Sequence, residues 1–131
     1  AIYLNDGTGH YTQSPSQLQN LQNSSVDVGD YDSDHDLDIL ITGLNESNES
    51  TTKLYRNDNG KFNNITQEAG IFSNNIGFGL GISVGDVNND SLDDFFIGGG
   101  FQRTGKIYIQ NKYPLHFHNM DLKRRAKCYF D

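Results

Sequence analysis

The feature that most constrains this chain is an internal repeat, and repeats of a few tens of residues signal stacked or radially arranged units. Ser25-Val26-Asp27-Val28-Gly29-Asp30 returns as Ile82-Ser83-Val84-Gly85-Asp86, 56 residues on. The apolar run behind it returns too, Asp38-Ile39-Leu40-Ile41-Thr42-Gly43 as Asp94-Phe95-Phe96-Ile97-Gly98-Gly99. A second element occurs three times. Ile2-Tyr3-Leu4-Asn5-Asp6-Gly7 matches the segment from Leu54 to Gly60 and again Ile107-Tyr108-Ile109-Gln110-Asn111, at offsets of 52 and 53. Each copy precedes a short aromatic stretch around Tyr11, Phe62 and Phe117.

The repeated pieces read as strands. Val26 and Val28 alternate with polar neighbours, which predicts a half-buried strand, and Ile39 to Ile41 is an apolar run of strand length. Leu54 to Arg56 and Phe62 to Ile65 complete a four-strand unit, with the Asn-Asp-Gly type of tripeptide predicting a tight hairpin between them. Gln67-Glu68-Ala69-Gly70-Ile71 predicts a single helical turn ended by Gly70. The expected fold class is therefore all-β, with β-propeller blades of four antiparallel strands. About two and a half blades are present, fewer than the roughly four to eight of a closed ring. Residues 1–23 read as the end of a preceding blade, 24–76 as a complete blade, 77–118 as a second blade and 119–131 as a basic tail. Such an incomplete ring calls for further blades from a longer parent chain, or for self-association.

The chemistry lies in the two loops inside the repeat. The first is Asp30-Tyr31-Asp32-Ser33-Asp34-His35-Asp36-Leu37-Asp38 and the second is Asp86-Val87-Asn88-Asn89-Asp90-Ser91-Leu92-Asp93-Asp94. Counted from the first acid, oxygen-bearing side chains stand at positions one, three, five and nine. These are Asp30, Asp32, Asp34 and Asp38 in one copy, and Asp86, Asn88, Asp90 and Asp94 in the other. The backbone carbonyl of position seven, Asp36 or Leu92, supplies a further oxygen, and a leucine there shows that the side chain is not required. Oxygen-only ligation at this density suits Ca2+, a hard cation that takes six to eight oxygens. Magnesium demands tighter octahedral geometry, and transition metals prefer the imidazole and thiolate that these positions lack. An EF-hand loop begins alike but needs a carboxylate at position twelve and a helix after it. Here position twelve is Ile41 or Ile97, inside a strand-like run.

With these residues in view, the chain resembles the FG-GAP/VCBS repeat family, the blades also found in integrin α-subunit propellers. The likeness covers about residues 24–66 and 77–111. It rests on the loops, on Phe78-Gly79-Leu80-Gly81-Ile82-Ser83-Val84-Gly85-Asp86 and on the run from Leu54 to Phe62. The resemblance implies calcium ligation by the side chains just named. The family usually carries Gly at position six, where this chain has His35 and Ser91, and a positive φ there would cost a non-glycine residue about 1 kcal/mol.

Composition narrows the function. The formal net charge is −7, which argues against nucleic acid as a partner. The charge is uneven, with the acids concentrated before residue 112 and Lys123-Arg124-Arg125-Ala126-Lys127 in the tail. No apolar run approaches the roughly 20 residues of a membrane span. The single cysteine, Cys128, permits no intrachain disulfide. No serine, cysteine or histidine arrangement suggests catalysis, and His116 and His118 read as an exposed strand end. The expected function is a calcium-binding repeat module, extracellular, at the cell surface or periplasmic, that serves adhesion or binds a protein or glycan. The alternative is an accessory propeller of a secreted enzyme whose catalytic domain lies elsewhere.

Overall fold

The computed structural model of the chain describes residues 1–71, 81–99, 105–111 and 115–121, with residues 119–121 described by backbone alone. The Phe78-Gly79 lead-in, Gly100, the basic run and Cys128 lie outside the described residues.

Every regular element among the described residues is a β-strand, and every pairing is antiparallel. Strands β1 (Tyr3–Asn5) and β2 (Tyr11–Gln13) form an isolated hairpin. Strands β3 (Gln22–Gly29), β4 (Asp38–Leu44), β5 (Ser50–Asp58) and β6 (Lys61–Asn64) form a four-stranded meander in chain order. Strands β7 (Ile82–Gly85), β8 (Asp94–Ile97), β9 (Lys106–Asn111) and β10 (His116–Asp121) form a second. The fourth strand thus runs three residues past the boundary at 118 that the repeat suggested.

The two sheets share one register. Gly29 faces Asp38, Val28 faces Ile39 and Ile39 faces Tyr55 in the first; Gly85 faces Asp94, Val84 faces Phe95 and Phe95 faces Tyr108 in the second. The outer hairpin occurs three times with matching pairs, Asn5 with Tyr11, Asn57 with Phe62 and Gln110 with Phe117. Between β5 and β6 the chain turns on Asn59 and Gly60, at φ 53° and 87°. Two consecutive positive φ values define the type I′ turn that suits the twist of paired strands, and Asn-Gly is the dipeptide that adopts it most readily.

The expected helical turn is present. Ala69 N–H donates to the Ile65 carbonyl, Gly70 N–H to Gln67 and Ile71 N–H to Thr66. The last two bonds are the paired closure of a Schellman motif, with Gly70 at φ 72° as its left-handed residue.

The core lies between the two sheets. Leu40 and Leu54 on one side of the first sheet join Phe95, Ile97, Tyr108 and Phe117 of the second, and Tyr31, Ala69 and Ile71 fill the rest. Aromatic contacts hold it, with Phe95 stacked on Tyr108 at 4.7 Å and Tyr31 edge-on to Phe95 and Phe117 at 6.2 and 6.0 Å. One expectation is corrected here. Strand β3 turns Asp27 toward the sheet interface and leaves Val26 and Val28 exposed, so its valines are not the buried half. The alternation is as the sequence suggests, but the valine face lies away from the second sheet; farther across it, Tyr55 is buried and its hydroxyl accepts from Gln19 N–H at 2.9 Å.

Candidate metal centre

Both acidic loops leave the end of one strand and return at the start of the next, β3 to β4 and β7 to β8. Their internal bonding is the same. Asp30 accepts from the backbone N–H groups of Asp34 and His35, both at 3.0 Å. Asp86 accepts from Asp90 at 3.0 Å and from Ser91 at 2.7 Å. Position five accepts from position seven, Asp34 from Asp36 at 2.8 Å and Asp90 from Leu92 at 2.9 Å. Positions four and six take left-handed backbone in both copies: Ser33 φ 62° and His35 φ 76°, Asn89 φ 63° and Ser91 φ 68°. Position six therefore does adopt the conformation that makes glycine usual there.

Position nine anchors the loop. Asp38 is fully buried and accepts from Tyr31 N–H at 2.9 Å and from Asn57 N–H on β5 at 2.8 Å. Asp94, equally buried, accepts from Val87 at 2.9 Å and from Gln110 on β9 at 2.9 Å. These bonds tie each loop to the third strand of its sheet, a role that loop spacing alone does not reveal. The thrice-repeated Tyr-x-Asn/Gln element is the sequence trace of it, since Asn57 and Gln110 occupy the same place. A carboxylate has about four acceptor sites, so two N–H bonds leave it able to ligate as well.

In the first loop one carboxylate oxygen each from Asp30, Asp32 and Asp38 lies within 4.8 Å of the others. Oxygens that close could share a single cation. Asp32 Oδ1 is buried and makes no hydrogen bond among the described residues. Asp34 and Asp36 stand outside this group. The Asp36 carboxylate accepts from Asn59 N–H at 2.9 Å, bracing the type I′ turn. In the second loop, Asp86, Asp90 and Asp94 form no comparable group, and the Asn88 amide donates to Asp90 at 2.9 Å.

The first loop stores electrostatic stress. Burial pushes the Asp38 carboxyl up to about 6 against the two N–H bonds that lower it, and Asp32 and Asp34 push it further. Burial, and then Asp34, also raise Asp32. The Arg56 guanidinium, 3.9 Å from Asp32 and hydrogen-bonded at 3.0 Å to Asp58, is the cation that partly offsets this, and Ile109 replaces it in the second copy. Partial desolvation opposes the Asp86 charge, but N–H groups from Ser91, Asp90, Asn89 and Asn88 outweigh it and hold the carboxyl below the usual range. Asp93 stands between the loops. Burial raises its carboxyl, and so do Asp30, Asp86 and Asp94.

His116 and His118 are exposed on β10, as expected of a strand end. No helix among the described residues is long and apolar enough to cross a membrane. Comparison with protein-family models, with curated proteins and with solved structures finds no match to this chain.

Proposed function

We propose that this chain is a calcium-binding β-propeller repeat module of the FG-GAP/VCBS kind, from an exported protein, with calcium in a structural role. Its task is adhesion or the binding of a protein or glycan. The observation that carries the reading is the convergence of Asp30, Asp32 and Asp38 oxygens within 4.8 Å, with Asp32 Oδ1 buried and unbonded. Carboxylates this close, one of them fully buried, favour a positive charge between them. The two four-stranded meanders in one register support the blade reading, and the motif resemblance supports the family.

Calcium here couples to folding, because the ion binds the folded loop and not the open chain. Extracellular modules bind at roughly 10⁻⁴–10⁻³ M, which suits millimolar external calcium. The experiment is calorimetric titration with calcium, beside thermal melting in chelator and in calcium of about 5 mM. Binding in that range stabilises by about 1–2 kcal/mol per site, a rise of several degrees in Tm. An unchanged Tm, with no heat of binding, rules the proposal out. The first loop titrates before the second, whose Asn88 lacks a charge.

A further inference from the structure

Beside the first acidic loop stands a positive charge that the loop's own spacing does not predict. Arg56 lies on β5, one residue before Asn57, whose N–H holds Asp38. Its side chain is tethered to Asp58: Nε donates to Asp58 Oδ1 at 3.0 Å and Nη2 to Asp58 Oδ2 at 3.1 Å. Asn63 on β6 donates to the same Asp58 Oδ2 and fixes the far side of the pair. The guanidinium so held has its Nε 3.9 Å from Asp32 Oδ2. That is beyond hydrogen-bond reach, and the single Nε hydrogen is already given to Asp58, so Nε acts on Asp32 through charge and not through a bond. After Asp58, the carboxylates whose charges Arg56 feels are Asp32 and Asp38, two of the three that converge. The second copy has Ile109 in place of Arg56 and Asn111 in place of Asp58, so it carries neither the cation nor the carboxylate that tethers it.

We propose that Arg56 is a resident cation of the first loop, which stands in for calcium when the ion is absent and raises the calcium concentration at which the loop fills. The inference rests on the calcium reading and concerns the regulation of that same site. Two effects oppose each other. A clamp on Asp32 would orient a ligand and strengthen binding; a charge repels a divalent ion held by the same carboxylates and weakens it. The 3.9 Å gap decides for the charge, because a group that makes no hydrogen bond to Asp32 does little to orient it. Attraction between Arg56 and the carboxylates is present with and without calcium, so it cancels from the binding equilibrium. Repulsion between the two cations remains. The Arg56 side chain is 39% exposed, so a dielectric near that of water applies. A unit charge one ligand removed from a divalent ion then lowers affinity by roughly three- to tenfold at low salt, and by less as salt screens it. Without calcium, the same charge offsets the repulsion between Asp32 and Asp38.

Calorimetric titration of the 131-residue chain with calcium chloride compares the parent with Arg56→Gln and Arg56→Met. Both substitutions keep a flexible stem and remove the charge, and the slightly alkaline buffer keeps every carboxylate of the loop ionised. Both variants are expected to bind calcium roughly three- to tenfold more tightly at the first loop. The second loop, with Ile109 at that place, is the internal control and stays unchanged. The gain shrinks as sodium chloride rises from about 20 to 500 mM, which marks a charge acting through space and not a change in loop structure. In chelator, both variants melt lower than the parent by about 1–4 °C. Unchanged or weaker calcium binding by the variants overturns the inference and leaves the calcium reading standing. So does a gain that salt does not reduce, or melting in chelator as high as the parent's. A parent chain that binds no calcium overturns both.

Discussion

His35 and Ser91 hold the left-handed backbone of position six with side chains that disfavour it, at φ 76° and 68°. Replacing each by glycine removes the Cβ clash, and the double variant gains about 1–2 kcal/mol of stability, read from chemical denaturation. Asp38 allows a sharper test. Its carboxylate accepts two buried N–H bonds, and an amide can accept with only one of its two heads. Asp38→Asn therefore leaves a buried donor unpaired, costs about 1–3 kcal/mol and removes the calcium response of the first loop. The pH dependence has a definite sign. The folded Asp38 carboxyl titrates at about 6, above the ordinary aspartate value, so the folded state takes up a proton first. In chelator, the stability penalty is full above pH 6 and fades as pH falls toward about 4. In calcium, the same protonation displaces the ion. Melting in both media from pH 7 to 4.5 is expected to show the calcium-induced rise in Tm shrinking on acidification; a constant gap counts against Asp38 as a ligand.

The strands and turns were legible in the sequence wherever local chemistry decides them. Asn59-Gly60 is read correctly because few dipeptides tolerate two positive φ values, and Gly70 because a helical turn ends most easily on glycine. The turn at Gly70 also packs against the second sheet, which local sequence does not show. Phe117 N–H donates to the Ala69 carbonyl at 2.7 Å, and the His116 imidazole occupies the space a Cβ on Gly70 would need. Gly70→Ala is expected to cost about 1–2 kcal/mol for the left-handed backbone, with a further loss from displacing the imidazole. Adding His116→Ala restores only that second part, which a double-mutant cycle in denaturant measures. The exposed face of β3 was not legible. Alternation tells that Val26 and Val28 share a face, but not whether another sheet lies against it.

At the scale of the molecule, Tyr31 joins the first acidic loop to the interface between sheets. It packs edge-on to Phe95 and Phe117, and the Gln110 amide of β9 donates to its carbonyl. Its buried hydroxyl makes no hydrogen bond among the described residues, and burial, with Asp27, Asp93 and Asp38 nearby, raises its pKa far above normal. Tyr31→Phe should leave stability unchanged or slightly higher, whereas Tyr31→Ala should cost about 3–5 kcal/mol and weaken calcium binding to the first loop. Equal losses in the two variants would mean that the hydroxyl, not the ring, does the anchoring. The sequence by itself determined the strands, the repeat register and the pairing of two acidic loops, because these depend on periodicities of two residues and on turns only a few residues long. Only the tertiary structure decided that one oxygen each of Asp30, Asp32 and Asp38 lies within 4.8 Å of the others, and that the Asp36 carboxylate reaches Asn59 N–H in the next hairpin. It alone decided that position nine clips each loop to the third strand, and that Ile82 and Val84 pack against the core while Val26 and Val28, at the same places of the repeat, stay exposed. The reason is physical: a residue's place along a strand names its face, but what covers that face comes from elements distant in the chain.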